Sequence, residues 1–480
     1  MSNPNHFPSV DDFSSLSDAF MHWLKSNPGV RVNPKIKIAD LRFQGSGRGV
    51  VACDEIAEDE ELFAIPHNLI LSVQNSSLKS HLDLAESDLD PWLSLILVMV
   101  YEYLQSGASR WASYFSVLPT SFDTLMFWTE GELRELQGSA VVNKIGRKDA
   151  DESILNGLLP LISKNPHLFR LPSAVSSYES PEGRQALLAL AHRMGSLIMA
   201  YAFDVEKGED DEEEGQDGYV TDDEQQMLPK GMVPLADILN ADGERNNARL
   251  FQEDGYFVMK AIKSVHTGEE LFNDYGEIPR ADLLRRYGYV TDNYAQYDVV
   301  EIPLQTICRV AGLGSIEPGP DQPQLEFLDD LGVLDDGYSI PRIPRSTPLV
   351  ESLPDELLIV LQTLSLSTDQ LNHFRSRNKA PKPTLSAEQA SFLAEVVRQR
   401  CRDYSTDIGE DERFLAALTA SGSETADQPS QRRRKMAIQV RKGEKEILTQ
   451  LLTSIEEYVA QGTKRTAEDA PNGVEKRRKV

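Results

Sequence analysis

Three short segments place an aromatic residue, a polar residue or a cluster of glycines next to β-rich runs. In "GEELFNDYG" (268–276) the apolar run stops before Tyr275, which precedes a turn-forming glycine. In "MVPLADILNAD" (232–242) Asn240 follows an apolar run, so its amide must find polar partners. In "GSGRGV" (45–50) alternate glycines allow the backbone to approach a ligand closely. A ligand-binding site is one interpretation; an ordinary strand and turn with a half-buried tyrosine is the other.

Several other chemistries are disfavoured by the sequence. The metalloprotease HExxH motif, the P-loop motif and the GxSxG serine motif do not occur, and no acidic cluster has EF-hand spacing. The glycines of 45–50 lack the GxGxxG spacing of a dinucleotide site. Cys53, Cys308 and Cys401 are too far apart for a disulfide framework or a CxxC zinc arrangement, and the eight histidines are scattered. We therefore expect no metal, serine-triad hydrolysis or phosphoryl transfer.

Composition and charge narrow the class of partner. The 480 residues carry a net charge of −27, which argues against nucleic-acid binding and is compatible with a basic protein partner or with simple solubility. The longest apolar stretch, 92–104, is shorter than the roughly 20 residues of a membrane span and contains Glu102. The N-terminal residues lack a basic start followed by an apolar region. We expect an intracellular protein with no membrane segment.

β-rich and helical stretches alternate along the chain. They would have to position Tyr275, Asn240 and the glycines of 45–50. In order, periodicity predicts a first helix at about 10–26, a β-rich block at 36–72, helices at about 75–205, an acidic segment at 206–226, a second β-rich block from about 232, and helices after about 305 that end in a long helix at 444–460. The two β blocks are each too small for a separate domain. We therefore predict one α+β sheet assembly with a large helical insertion.

The ordered set of segments resembles the SET-domain lysine methyltransferases. "GSGRGVVACDEIAEDEELFAIP" is similar to the glycine-rich opening of that family, "VPLADILNAD…NNARLF" to its asparagine-histidine motif and "GEELFNDYG…LLRRYGYV" to its tyrosine motif. Combined with a helical insertion, they resemble the subfamily that includes Rubisco large-subunit methyltransferase and SET-domain-containing protein 6, over about residues 15–460. The resemblance implies a SET domain at 1–300 with its insertion at about 75–230, and a helical substrate-binding domain at 301–462.

The resemblance also implies roles for individual residues. It assigns S-adenosylmethionine binding to Ser46, Gly47, Arg48, Tyr201, Asn240, Ala241 and Tyr287, a catalytic place to Tyr275 and Tyr287, and substrate contact to Trp111 and Tyr275. Each has a structural alternative: a plain turn for the glycines, a capping asparagine, and core packing for Tyr201 and Trp111, while Tyr289 is expected to pack. Ala241 stands where many members of the family have histidine, so it would act through its backbone.

A wall of tyrosines suits the chemistry that the resemblance implies. A lysine amine must be neutral to attack the methyl of a sulfonium, although its unperturbed pKa is about 10.4. Removal from water and a nearby positive sulfonium both lower that pKa. Tyrosines exclude water, and their hydroxyls are weak acceptors for polarised methyl hydrogens. Tyr275 would therefore stand at a strand end so that its hydroxyl is fixed beside the transferred methyl.

Three functions remain open at this point. The first is methylation, with one methyl added, of a basic ribosomal protein of the large subunit; the acidic segment 206–226 could steer that substrate or simply be solvated. The second is a nuclear methyltransferase that acts on a histone or a transcription factor. The third is an inactive SET-fold module that binds peptides, which Ala241 motivates.

The C-terminal residues 463–480 have the layout of a bipartite nuclear import signal. Lys464-Arg465, a ten-residue spacer and the basic cluster 476–479 would insert into the acidic grooves of an import carrier from a disordered tail. A basic tail can also be incidental. We predict a nuclear location.

Overall fold

The computed structural model describes residues 10–42, 47–84, 87, 89–171, 175–205, 229–314, 316–344, 346–420 and 429–468. Ser46, the acidic segment 206–226 and the tail residues 469–480, to which the sequence assigns roles, lie outside the described residues. The chain divides into two compact units. The first comprises Met1–Trp128, Asn143–Ile278 and Asp282–Tyr294, and the second comprises Thr129–Val142, Pro279–Ala281 and Ala295–Val480.

The helices and strands are numbered in chain order. The helices are α1 Val10–Ser26, α2 Pro91–Leu104, α3 Ala112–Phe115, α4 Glu130–Leu133, α5 Arg147–Ser153, α6 Leu159–Lys164, α7 Pro181–Tyr201, α8 Arg280–Tyr287, α9 Leu304–Val310, α10 Pro323–Asp330, α11 Asp355–Leu364, α12 Thr368–Arg377, α13 Ala387–Cys401, α14 Ile408–Ala420 and α15 Pro429–Glu468. The strands are β1 Arg31–Val32, β2 Ile36–Asp40, β3 Arg48–Ala52, β4 Glu61–Pro66, β5 Leu71–Ser72, β6 Ala202–Asp204, β7 Lys230–Met232, β8 Asn240–Ala241, β9 Ala248–Glu253, β10 Tyr256–Ala261, β11 Glu270–Asn273, β12 Val299–Pro303 and β13 Gly337–Pro341.

Three small sheets form the β part of the first unit, in the orders β1-β4-β10-β9, β2-β3-β11-β8 and β5-β7-β6. The second sheet joins the two β-rich blocks of the sequence. In it β3 pairs with β11 in antiparallel register, Val50 opposite Leu271, and β11 pairs with β8 in parallel register, Phe272 opposite Asn240. The two blocks therefore form one assembly, as their small size predicts.

Helices α2 and α7 supply much of the core of the first unit. Each begins with a side-chain cap, from Asp90 and Ser180, and has proline at its first position, which needs no N–H donor there. Residues 94–102 of α2 are all buried. The carboxylate of Glu102 within that run accepts hydrogen bonds from the hydroxyls of Ser76 (2.6 Å) and Ser109 (2.7 Å). The long apolar stretch is thus a core helix; within the described ranges, no helix is both long and apolar enough to cross a membrane.

The second unit is mainly helical but contains the antiparallel pair of β12 and β13. The sequence predicts only helices after about 305, so β13 was missed. Its proline, Pro341, is the last residue of the strand, and Pro303 is the last of β12, positions at which a missing N–H is tolerated. The prolines therefore mark the ends of strands and not a loop.

The final helix α15 is longer at both ends than the sequence predicts. It begins at Pro429, before the predicted start at 444, and continues to Glu468, beyond the predicted domain end at 462. Its polar first half is anchored by buried ion pairs: the fully buried Asp411 accepts from Arg441 (2.8 Å) and from Lys445 (2.5 Å). Because these cations are buried, apolar periodicity alone does not reveal that this part of the helix packs.

Candidate active site

Two tyrosines meet where a strand and a helix end. Tyr275 follows β11, and Tyr287 is the last residue of α8. Their rings are stacked, with centroids 3.9 Å apart and planes inclined by 9°. The Asp274 carboxylate accepts a hydrogen bond from the Gly276 N–H (2.9 Å), and Gly276 has φ +78°, a conformation that glycine adopts without strain. The polar pair and the glycine of the sequence thus form the turn that fixes Tyr275.

The stacked pair borders a small cavity in the first unit, of about 210 Å³. The end of α7, including Tyr201, forms another part of its wall. The lining residues are Met199, Ala200, Tyr201, Ala202, Phe203, Ala236, Asp237, Leu239, Asn273, Asp274, Tyr275 and Tyr287. Three tyrosines that the sequence singles out therefore lie around one cavity.

Burial keeps these phenols neutral. Desolvation raises the pKa of Tyr287 to about 12 and raises the pKa values of Tyr275 and Tyr201 further. Tyr289, expected to pack, is near enough to Tyr275 to contribute to its raised pKa, and its buried hydroxyl has no hydrogen-bond partner in the described part of the chain. Neutral hydroxyls on an aromatic wall exclude water and do not balance an ammonium charge, so the cavity disfavours a charged amine.

Asp237 is a residue of the cavity that we did not single out from the sequence. The Tyr114 hydroxyl donates a short hydrogen bond to its Oδ2, while Oδ1 has no hydrogen-bond partner among the described residues. Burial raises its pKa to about 7. The available signal was an aspartate inside the apolar run "VPLADIL", since a buried carboxyl must be either paired or neutral.

The turn that presents Asp237 has an unusual backbone. Leu235, two residues earlier, has φ +80° and ψ −36°, a region that side chains with a Cβ rarely occupy. Its side chain is fully buried in the core of the first unit. Packing therefore holds this turn in a strained conformation beside the cavity.

The glycine segment and Asn240 meet on the neighbouring edge of the site. Asn240 Nδ2 donates to the backbone oxygen of Arg48 (3.1 Å) and to Glu270 Oε1 (2.6 Å). The Gly47 carbonyl accepts from the Leu41 N–H (2.9 Å), which joins the residue after β2 to the residue before β3. The first and second β blocks therefore contribute neighbouring residues to one region, which continues along β11 towards Tyr275.

Two of the predicted cofactor residues have buried side chains. The Arg48 side chain points into the core: its Nη1 donates to the Val117 carbonyl (2.9 Å) and its guanidinium lies 4.3 Å from the centroid of the Phe13 ring. Burial lowers its pKa to about 10. Ala241 is also buried, and its backbone pairs opposite Asn273. The Arg48 Nη2 atom is buried with no hydrogen-bond partner among the described residues, and the cofactor contact of Arg48 stays a prediction.

Trp111, predicted to contact substrate, belongs to the core of the first unit. Its side chain is 1% exposed, and its indole N–H donates to the Leu69 carbonyl (2.8 Å). It is absent from the lining of the tyrosine cavity. The arrangement fits the alternative of core packing that the sequence offered, and the substrate contact of Trp111 stays a prediction.

Comparisons with known proteins relate the chain to two protein families. The SET domain family matches residues 47–276, and the Rubisco LSMT substrate-binding family matches residues 323–448. The chain is 35% identical to ribosomal lysine N-methyltransferase 4 of Saccharomyces cerevisiae over 62% of this chain and 60% of that protein. It is 28% identical to N-lysine methyltransferase setd6 of Xenopus laevis over 90% and 94%. The alignment with the yeast protein thus spans less than two thirds of that protein's length.

A solved structure shares the fold. The SET domain of LSMT bound to lysine and AdoHcy superposes with a TM-score of 0.65 at 22% identity, covering 98% of both chains. The predicted arrangement of small sheets, a helical insertion and a helical C-terminal region is confirmed.

Proposed function

We propose that the chain is a SET-domain protein-lysine methyltransferase with a Rubisco LSMT substrate-binding domain, the two families whose models match it, and that it adds one methyl group to a lysine of a large-subunit ribosomal protein. The main support for methyl transfer is the stacked pair of Tyr275 and Tyr287 beside a cavity of about 210 Å³. Its hydroxyls are neutral and removed from water, which is the environment that an amine nucleophile needs.

The residues at the edge of the cavity fit S-adenosylmethionine. When bound, this cofactor supplies an electrophilic methyl group on a positively charged sulfur. Asn240 offers an amide oxygen with no hydrogen-bond partner among the described residues, and the Arg48 backbone carbonyl, next to Gly47, lies 3.1 Å from its Nδ2. Tyr201 and Tyr287 form the adjoining wall of the cavity. These side chains and backbone groups would hold the cofactor, with Ala241 contributing its backbone.

The cavity residues would prepare the lysine. The phenol rings of Tyr275 and Tyr287 exclude water, so the ammonium form of the lysine loses its hydration and its pKa falls. The Tyr275 hydroxyl, fixed by the turn at Gly276, orients the amine and accepts weak hydrogen bonds from polarised C–H groups. Burial raises the pKa of Asp237 to about 7, and in its protonated form this carboxyl adds no negative charge that would hold the lysine in its ammonium form.

The ribosomal substrate is supported by the yeast relative and by charge. The relative at 35% identity is named a ribosomal lysine N-methyltransferase, and the net charge of −27 favours a basic protein. A second candidate is a lysine of a histone or a transcription factor. It is favoured by the greater extent of the match to setd6, a protein named only as an N-lysine methyltransferase, which covers 90% of this chain.

Labelled S-adenosylmethionine would separate these candidates. The full chain is incubated with purified large-subunit ribosomal proteins, histones and transcription factors in separate reactions. We expect label on one large-subunit ribosomal protein, with a mass increase of a single methyl group, and loss of that label in Tyr275→Phe. Label only on histones or transcription factors would favour the second candidate, and no label on any substrate would contradict methyl transfer.

We also propose that the tail at 463–480 directs nuclear import through an acidic carrier. Its two basic clusters and ten-residue spacer support this proposal. The tail, fused to a fluorescent reporter, is expected to concentrate the reporter in the nucleus, and Ala substitutions at 476–479 to abolish this. Equal distribution of reporter and fusion would contradict it.

A further inference from the structure

Asn240 has a side-chain amide whose orientation is fixed by its two partners. Its Nδ2 donates to the Arg48 carbonyl (3.1 Å) and to Glu270 Oε1 (2.6 Å). A backbone carbonyl and a carboxylate accept hydrogen bonds but do not donate them, so the NH₂ group must face both. The Asn240 Oδ1 atom has no hydrogen-bond partner among the described residues and is left as an acceptor.

Gly49 provides the space for this arrangement. A Cβ atom at residue 49 would lie 2.5 Å from Leu41 Cδ1, 2.7 Å from Glu270 Oε1 and 3.1 Å from Asn240 Nδ2. The two shorter distances are below normal contacts, so a larger residue at 49 would displace the Leu41 side chain and the Glu270 carboxylate. The glycine, the carboxylate and the amide therefore form one local unit on strands β3, β11 and β8.

We propose that Glu270 is a positioning residue for the cofactor: it holds the Asn240 amide so that Oδ1, and not the NH₂ group, is presented to bound S-adenosylmethionine. This inference rests on the proposed function. Without the Glu270 carboxylate, the Asn240 NH₂ group would keep only the Arg48 carbonyl as an acceptor. One amide proton would then have no acceptor, and the amide could rotate more freely. The nearby carboxylate also polarises the amide and makes its oxygen a stronger acceptor.

A double-mutant cycle tests this role in the full chain. Calorimetric titration of S-adenosylmethionine is carried out on wild type, Glu270→Ala, Asn240→Ala and the double variant. We expect Glu270→Ala to weaken binding about tenfold, which corresponds to about 1.4 kcal/mol, the range for one hydrogen bond to a charged group. The same change in the Asn240→Ala background should have little effect, because the residue acts through the amide.

Kinetics and conservative variants distinguish positioning from a structural role. Glu270→Ala should raise KM for S-adenosylmethionine while kcat at saturation stays within about threefold. Glu270→Gln keeps an acceptor oxygen and should bind close to wild type. Asn240→Asp places a second carboxylate against Glu270 and should bind worst, and adding Glu270→Gln should recover part of that loss through the new amide donor. Glu269→Ala, an exposed neighbour, is the matched control.

Additive losses in the cycle, or a fall in kcat with unchanged cofactor binding, would overturn this inference alone. If Glu270→Ala does not fold, the affinity of Asn240→Asp for S-adenosylmethionine is compared with that of Asn240→Asp/Glu270→Gln. An affinity of the double variant no higher than that of Asn240→Asp would overturn the inference. A wild-type chain that binds no S-adenosylmethionine would overturn the proposed function as well.

Discussion

The phenols of Tyr201, Tyr275 and Tyr287 face a common cavity with their pKa values raised by burial. Neutral phenols cannot remove a proton from an ammonium ion by acting as anions. Their contribution is the removal of water and the placement of weak donors and acceptors. At the scale of single residues, the site therefore lowers the pKa of its substrate through desolvation, with one carboxyl, Asp237, that titrates near neutral pH.

Tyr275→Phe removes the hydroxyl and keeps the ring. We expect kcat to fall about 100-fold, the usual cost of losing a positioned polar group in an active site, because the amine is no longer oriented. The affinity for S-adenosylmethionine should stay within about twofold, since the stack on Tyr287 is preserved. Methyl transfer under saturating cofactor measures the first quantity and calorimetry the second.

The control for that variant is Tyr256→Phe, which removes a hydroxyl from β10 of the same unit, outside the cavity lining. It should leave both quantities unchanged. Full activity in Tyr275→Phe would remove this tyrosine from the mechanism.

Asp237→Asn should change the pH dependence of stability. The unfolded pKa of an aspartate is about 3.9, and the folded pKa of Asp237 is about 7. Between these values the folded chain holds a proton that the unfolded chain has lost, so this carboxyl makes stability fall as pH rises, by up to about 1.4 kcal/mol per pH unit. Asparagine does not titrate and still offers Tyr114 an acceptor oxygen.

The free energy of unfolding of Asp237→Asn relative to wild type is therefore expected to increase from about pH 4 to pH 7 and to stay level above that. Denaturant titrations at pH 4.5, 5.5, 6.5 and 8 measure the difference. A difference that does not depend on pH would show that the aspartate is ionised throughout this range in the folded chain.

Residue-level prediction from sequence reached some positions of the site and not others. Tyr275 was assigned its role by the resemblance to the SET tyrosine motif, because its local pattern alone also fits an ordinary turn tyrosine. Asp237 was missed because a sequence does not show whether an aspartate within an apolar run is buried or exposed. The substrate contact of Trp111 stays a prediction, and the structure places this side chain in the core, since sequence does not show which surface an indole faces.

At the scale of secondary-structure elements, the pairing register of β3, β8 and β11 brings the residues of the site together. Pairing of β11 with both β3 and β8 sets Glu270 and Phe272 against residues from the two other motifs. A shift of one residue would turn Tyr275 to the opposite face of the sheet. The sequence indicated that these runs are strands, because they are short, apolar and bounded by glycine and acidic turns. It could not give their partners, since pairing across some 200 residues leaves no local signal.

The buried ion pairs of α15 lead to a prediction about how this helix is anchored. Asp411→Ala would leave Arg441 and Lys445 without their buried carboxylate. Removing one partner from a buried ion pair typically costs about 3–5 kcal/mol, so we expect a loss of this order in the stability of the second unit. Far-UV circular dichroism is the suitable measurement, because all four tryptophans of the chain precede residue 129.

Glu412→Ala is the matched control for Asp411→Ala. Its carboxylate is exposed and lies 3.6 Å from the Lys442 amine, and exposed pairs contribute little. Equal stability of the two variants would indicate that the buried pairs do not anchor α15.

The whole molecule carries a net charge of −27, and eleven acidic residues stand between 206 and 226. If the substrate is a basic protein, long-range attraction should raise kcat/KM at low ionic strength. We expect kcat/KM to fall by at least about tenfold between 20 and 300 mM salt, as screening shortens the range of that attraction. Serine at the acidic positions of 206–226 should flatten this dependence.

A short peptide whose only charged side chain is the target lysine serves as the reference substrate, and its kcat/KM should change little with salt. An unchanged salt dependence after replacement of the acidic positions would mean that 206–226 is only a solvated segment.

The strained turn at Leu235 links the temperature range of catalysis to core packing. The packing of the Leu235 side chain in the hydrophobic core stabilises the backbone conformation at φ +80°. When heating loosens the packing around Leu235, the strained turn should relax to a more favourable backbone conformation. The carboxyl group of Asp237, two residues further on, should then move as well. Enzymatic function should therefore fade several degrees below the melting transition, and the first amide protons to exchange on heating should be those around residue 235.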